Sequence, residues 1–314
     1  MAKKKQQEAA MGFERNKFNS ISKTSNTIFG IILGLLSLLM IIPMVLVFII
    51  SFTSNASIAY NGFSFFPSEW SLEGYGYLFK MGDQVWASYR ITIFFTVVGT
   101  VMSLSVMSLY AYVLAQTHFK HRKFFTWILF FTMLFGGGLV PSYILYVQYL
   151  HIYDTVWVFL LPSLVSAYNV IILRTFIQTT IPDTLFEAAK IDGAGHWRIF
   201  FQIVLPLFKA GLATIALFNV VGRWNDWFTG LMYIQNPNLV PIQTMLQKIQ
   251  QQLDFLKNNA QITGTPDAIQ MMKSLPTQSL RMACVVIVVL PVLAAYPFFQ
   301  RYFVQGLTMG SVKG

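Results

Sequence analysis

Six long apolar runs dominate this chain, and a bilayer admits such lengths of backbone only when their hydrogen bonds close within the protein. A spanning helix needs about 20 mostly apolar residues, because every main-chain polar group must be satisfied internally across roughly 30 Å of hydrocarbon. The runs cover approximately residues 27–51, 90–115, 124–149, 155–174, 208–233 and 281–300. Four have no charge in their interior, the second and sixth carry Arg only at an edge, and the fifth alone holds charges well inside. Composition agrees: 55% of the 314 residues are hydrophobic and 11% are charged, too apolar for an ordinary water-soluble domain. The 29 Phe, 14 Tyr and 7 Trp suit lipid contact and interfacial belts, so membrane lipid is the first partner. The expected fold class is an all-α integral membrane protein with six transmembrane helices.

Lys and Arg collect on the cytoplasmic side of membrane proteins, which turns the net charge of +10 into a topology signal. With loops alternating sides, fifteen of the 22 Lys and Arg residues share one face. They lie before residue 27, in the 116–123 loop, in the 174–209 segment and after residue 300. The other face receives Lys80, Arg90, Lys248, Lys257, Lys273 and Arg281, and Arg223 stays inside the membrane. The expectation is a multi-pass protein of the cell (inner or cytoplasmic) membrane with both termini cytoplasmic. It divides into an N-terminal segment 1–26, a six-helix domain 27–300 and a tail 301–314. Nucleic acid needs no place in this account. The start, MAKKKQQEAA, is basic, and no short apolar region with a cleavage site precedes residue 27, so the first run should be an uncleaved anchor.

Two segments on the outer side are long, residues 52–87 and 234–280, whereas residues 150–154 form a tight turn. In the first, FPSEWSLEGYGYLF is expected to lie along the outer membrane surface. In the second, VPIQTMLQKIQQQLDFLKNNA reads as a polar, solvated helix followed by the tip ITGTPDA, and its length invites docking. Cys284 is the one cysteine, so neither a disulfide nor a Cys-based metal site forms within the chain. His118, His121 and His196 have no partners at ligand spacing, so no metal site and no catalytic triad is expected. No sequence repeat relates the two halves, which gives no support to an inverted-repeat secondary transporter.

The most informative stretch is IPDTLFEAAKIDGAGHWRIFFQIVLP, residues 181–206. Pro182 can open a helix, Thr184 and Glu187 have capping-box spacing, and Asp192-Gly193 supplies a turn. A second short helix follows from about Trp197 until Leu205-Pro206 breaks the chain and starts the fifth run. The predicted product is a helix-turn-helix bracket on the cytoplasmic face.

These residues resemble the permease subunits of ATP-binding-cassette importers. That family's signature is Glu-Ala-Ala, three residues, Gly, nine residues, Ile, one residue, Leu-Pro. Glu187, Ala188, Ala189, Gly193, Ile203, Leu205 and Pro206 meet it without a departure. FPSEWSLEGYGYLF, LFGGGLVPSYILY, WNDW and the end AYPFFQRYFVQGLTMGSVKG look like carbohydrate importers, and within them like the smaller, maltose-type permease. GGGLVP and GSVKG are closer still to a branch associated with complex saccharides. The resemblance implies a type I importer transmembrane domain, a second permease subunit, two ATPase subunits and an extracytoplasmic sugar-binding protein. In the family the bracket docks in a groove on the ATPase. Ala188 and Ala189 would let that surface approach, Glu187 would offer a carboxylate, and Gly193 would permit the reversal after Asp192. The local alternative is that Glu187 only caps its own helix and Gly193 only ends it. The chain lacks the G-x-x-x-x-G-K-[ST] phosphate loop, so it is not expected to hydrolyse ATP itself. No enzymatic activity and no cofactor are expected in this chain, and the resemblance gives ATP and Mg to the partner ATPase subunits.

The fifth run carries GRWNDW. An ionisable residue is costly at the bilayer centre, so Arg223 and Asp226 should face protein or water, and three residues apart on a helix they can partly neutralise each other. Trp224, Asn225 and Trp227 add the stacking faces and hydrogen-bonding groups that a sugar path uses. The alternative is an outer-interface ion pair between belt tryptophans. Asn169 is a second polar candidate, for the path or for an interhelical hydrogen bond. Gly136–Gly138 with Pro141 could kink the third run beside the path or merely pack closely. An importer of a non-sugar solute, a secondary transporter and a membrane-bound sugar transferase are the competing classes. The transferase would need clustered acidic or His residues at a membrane face.

Overall fold

A computed structural model describes residues 22–263 and 277–311. Among these residues the architecture is helical, and the one β-type pairing is an isolated bridge between Thr53 and Trp70. The tip of the second outer loop lies outside the described residues from position 264 onward, as do positions 1–21 and 312–314.

Helix α1, Lys23–Ser51, begins where the Ser22 hydroxyl accepts the Ser25 amide at 3.2 Å. From Ile28 to Val45 its apolar side chains are exposed on every face, the pattern of a helix whose solvent is lipid, and only toward its end is Ile50 buried. Two short helices follow, α2 (Asn55–Asn61) and α3 (Glu73–Lys80). The long helix α4, Gly82–Ala115, is central. Its buried face carries Ser88, Thr92, Thr96, Gly99, Ser103 and Ala111, small residues that let other helices come close.

The third run is bent, not straight. Helix α5, Arg122–Leu134, meets α6, Leu139–Ile144, at 113° once the π-turn Leu145–Tyr149 is joined to α6. The break covers Phe135–Gly138, and Gly138 has φ +84°, a backbone state that a Cβ resists. The kink anticipated at Gly136–Gly138 is therefore present. The expected fourth span is in two pieces, α7 (Trp157–Leu160) and α8 (Ala167–Thr180). Pro162 lacks an amide hydrogen and disfavours helix at Leu161, and the chain restarts only at Ser166, whose hydroxyl accepts the Asn169 amide. By length and composition three helices can cross a membrane, or five when each of two bent pairs counts as one span. Among the described residues this falls short of the six transmembrane helices expected.

The bracket contributes α9 (Asp183–Ile191) and α10, which starts at His196–Ile199, passes through the π-turn Phe200–Val204 and ends at Leu207. Leu205-Pro206 does not break the chain as expected. The π-turn places the Leu205 amide on the Phe200 carbonyl, the helix runs on past Pro206, and the 79° bend comes at Phe208. Helix α11 is Lys209–Trp224 and α12 is Phe228–Tyr233, separated by Asn225–Trp227. Helix α13, Ile242–Thr263, and α14, Thr277–Ser311, complete the order. The expected solvated character of α13 holds on one side only. Ile242, Met245, Ile249 and Leu253 recur at helical spacing and are buried, while Gln251, Gln252 and Phe255 are exposed.

Two apolar clusters form the body. One joins Phe95, Phe159, Trp224, Ile249 and Cys284; the other, toward the bracket, joins Met107, Tyr112, Ile177, Ile199, Phe200 and Ile215. The 52–87 segment lies only partly on the surface. Phe66, Trp70 and Phe79 are exposed, but Leu78 is buried and the Tyr75 hydroxyl bonds that of Ser51 at 2.8 Å. Asn55 Oδ1 accepts the amides of Gln278 and Ser279, so this segment caps the start of α14. Gly74 makes the approach possible, because a Cβ there would lie 2.8 Å from the Ser279 backbone, whereas one at Gly76 would meet nothing within 4 Å. Gly74→Val should therefore destabilise the purified protein by about 1–3 kcal/mol, the usual cost of overpacking. Gly76→Val should be nearly neutral, and equal thermal melting of the two variants would contradict the contact.

Candidate functional site

The bracket is built by a turn that the sequence specifies closely. Helix α9 ends with Asp192 as its cap, the Gly193 amide donates to the Lys190 carbonyl at 3.0 Å, and the Ala194 amide donates to the Ala189 carbonyl at 2.9 Å. These are the two bonds of a Schellman motif, with Gly193 at its left-handed position, φ +75°. A Cβ on Gly193 would meet nothing within 4 Å, so conformation and not space selects glycine. The N-terminal end differs from expectation. Pro182 is the cap residue, no side chain caps the helix, and Thr184 lies within α9, so the Thr184–Glu187 capping box does not form. Glu187 makes no hydrogen bond or ion pair within the described chain, and its carboxylate is exposed.

The two alanines part company. Ala188 faces outward, while Ala189 is buried with Phe186 against Tyr112, Ile199 and Phe200, so Ala189 packs the bracket and does not present a surface. Ile203 and Leu205 are half-buried against the same cluster, and Pro206 is exposed. Outside, Leu185, Ala188, Ile191 and Trp197 leave an apolar stripe, with Ile191 86% exposed. Tyr112, from the bracket-side end of α4, was not anticipated. It is buried, its hydroxyl is hydrogen-bonded to His196 Nδ1 at 3.2 Å, and its ring contacts those of Phe186 and Phe200. A tyrosine near the end of an apolar run carries no sequence mark of such a role.

The GRWNDW segment is arranged differently from an ion pair on a helix. Helix α11 ends at Trp224 with Asn225 as its cap, so Asp226 has left the helix. Arg223 is buried, 6% exposed, and points into the body. Its Nη1 donates to the Phe159 carbonyl at 2.8 Å, and its Nη2 donates to Ser103 Oγ at 2.6 Å and to the Ser163 carbonyl at 3.0 Å. Asp226 makes no ion pair with it; Oδ1 instead accepts the Thr229 amide at 3.0 Å and starts α12. The carboxylate acts on Arg223 only at longer range. Trp224 is also buried, with Nε1 donating to the Val288 carbonyl at 3.1 Å. Asn225 bonds back to Val221 and accepts from Gln243, and Trp227 is exposed.

The structure thus separates the six path candidates. Arg223 and Trp224 hold helices together, whereas Asn225, Asp226 and Trp227 sit at the α11–α12 break with at least part of their surface free. Asn169 is on α8, half-buried, and its side chain makes no hydrogen bond among the described residues. Gly99 on α4 is the missed partner of Arg223, since a Cβ there would lie 2.5 Å from Nη1. The Gly99–Ser103 pair, four residues apart on an apolar helix, was the available signal. Among the described residues no group of three His, Cys, Asp or Glu side chains could hold a metal ion.

Residues 113–309 match the family described as the binding-protein-dependent transport system inner membrane component. The chain is similar to Protein LplC of Bacillus subtilis (strain 168), 38% identical over 90% of this chain and 92% of that protein. It is also similar to the polygalacturonan/rhamnogalacturonan transport system permease protein YtcP of the same organism, 36% identical over 91% of this chain and 97% of that one. Among solved structures, it is similar to a chain from a bacterial ABC transporter involved in the import of the acidic polysaccharide alginate. The TM-score is 0.76 at 29% identity, covering 91% of this chain and all of that chain.

The Arg223 cluster yields a graded expectation. Arg223→Met removes three charge-assisted hydrogen bonds and should cost about 3 kcal/mol or more, although the Ser163 hydroxyl still donates to the Phe159 carbonyl and the Ser103 hydroxyl to the Ser163 carbonyl. Ser103→Ala, which keeps both guanidinium–carbonyl contacts, should cost about 1 kcal/mol. Arg223→Lys retains charge but loses the planar fork, so it should recover little. Thermal unfolding in detergent measures the series, and equal losses for all three would refute the assigned contacts.

Proposed function

We propose a role for this chain on one premise: it belongs to the family of binding-protein-dependent transport system inner membrane components. It is a permease subunit of an ATP-driven ABC importer and forms half of the translocation pore for an oligosaccharide. Support for a saccharide comes from the names of similar proteins, which specify polygalacturonan/rhamnogalacturonan and arabinooligosaccharides, and from the likeness to an alginate importer. The complete unit has a second permease, two ATPase subunits that bind ATP and Mg, and an extracytoplasmic sugar-binding protein that meets the 234–280 loop. In this reading the chain crosses the membrane six times, with the Pro162-broken segment as the fourth crossing and both termini cytoplasmic.

One observation carries the coupling role. The complete Glu-Ala-Ala to Leu-Pro signature lies on a two-helix bracket whose Glu187 carboxylate and Leu185–Ala188–Ile191 face have no occupant among the described residues. An unpaired carboxylate beside an apolar stripe suits a basic, partly apolar groove on another protein. Nucleotide moves the assembly only through its different affinity for two states, so the bracket must transmit that difference to α4 and α11. Asn225, Asp226 and Trp227, with Asn169, are the groups this reading assigns to the sugar path, and Arg223 and Trp224 hold its wall.

Glu187→Ala should weaken ATPase association about tenfold or more, the range expected for loss of one charge-assisted hydrogen bond. Gly193→Val should strain the left-handed turn and reduce uptake while the membrane helices still insert. Co-purification of the ATPase and saccharide-stimulated ATP hydrolysis are the measurements. Normal association and normal stimulated hydrolysis in both variants would exclude coupling through this bracket.

A further inference from the structure

We propose that the cavity between the 116–123 loop, α5 and α8 binds an anionic phospholipid, with the headgroup at the loop and an acyl chain along α5. The cavity measures about 950 Å³. Lys120, Arg122, Lys123 and Arg174 line it, and no Asp or Glu does. None of the four makes an ion pair among the described residues. Arg122 and Arg174 are close enough for their charges to act on each other, and Nε of Arg174 is buried without a hydrogen-bond partner. Like charges gathered at one place repel, and an anion between them removes that cost. The N-terminus of α5 adds to the same positive end: His121 gives no side-chain cap and the first turn contains no acidic residue.

The apolar wall selects the kind of anion. Trp127, Phe130 and Leu134 follow the cations at spacings of three and four, so they share one face of α5 and cover about 10 Å of its length. A small soluble anion has nothing to place on that face, and an acidic saccharide carries hydroxyl groups along its whole length where Phe130 and Leu134 offer no partner. A glycerophospholipid carries phosphate at one end and hydrocarbon at the other, and basic pockets between transmembrane helices suit such headgroups. The topology proposed above assigns the lipid to the cytoplasmic leaflet; the binding itself depends only on the pocket.

Native mass spectrometry of the assembled transporter, released from nanodiscs of phosphatidylglycerol or phosphatidylcholine, tests this. Retained phosphatidylglycerol should exceed phosphatidylcholine, and retention should fall about fivefold for each cation removed in Lys120→Gln and Arg174→Gln. Arg174→Lys should keep most of it, and Lys80→Gln, at the other end of the molecule, should change nothing. Lys120 is an exposed loop residue, so its variant reports on binding without a folding defect. Equal retention of the two lipids, or wild-type retention in both glutamine variants, overturns the proposal. Displacement of the lipid by soluble oligogalacturonate overturns it too, and gives the cavity to the saccharide. Glu187→Ala should leave retention unchanged, so this inference and the coupling role fail separately.

Discussion

A segment that leaves helical geometry inside hydrocarbon frees carbonyls that no lipid can satisfy, and the chain must supply donors for them. At the Pro162 break Arg223 supplies them together with the Ser103 and Ser163 hydroxyls. It takes the carbonyls of Phe159 and Ser163 on either side of the proline and ties them to Ser103 on α4. A guanidinium is suited to this work because it presents several donors in a plane and can never be deprotonated. Its charge needs no carboxylate beside it when main-chain dipoles point at it, which leaves Asp226 available to start α12.

The two apolar clusters lie on either side of this polar layer, and α4 runs through both. Close packing of α8 and α11 on its small-residue face makes the three a single unit. The bracket joins that unit at Tyr112, where an aromatic cluster and one hydrogen bond fix α9 and α10 to the end of α4. Packed side chains thus connect α9 to α4 directly, apart from the loop that follows Ile191.

Much of this was legible in the sequence, and the failures have physical causes. Gly193 declared itself because a turn after Asp192 requires a residue that tolerates positive φ. The capping box misled because Pro182 took the cap position, which moved Thr184 into the helix. Arg223 and Asp226 looked like a pair only while the helix was assumed to continue; it ends at Trp224, and hydropathy does not register such an end. The fourth run read as one span because its apolar average hides Pro162. On α13 the stripe Ile242–Met245–Ile249–Leu253 was present but diluted by glutamines, and which face meets the core is decided by distant residues on α4 and α14.

The π-turn at Phe200–Val204 sets a ruler into the bracket. A π-turn accommodates one more residue than the α-helix around it, and one residue is about 100° of helical rotation. The interval between Gly193 and Ile203 is thus a count as much as a composition. Losing one residue there would be absorbed, since the π-turn would close as ordinary α-helix with both flanks nearly in phase, whereas gaining one with the surrounding geometry kept would turn the face that carries Glu187 and Ile191 by more than a quarter circle relative to α11. The junction is thus buffered against the loss of a residue and exposed to the gain of one, an asymmetry that comes from helical phase alone.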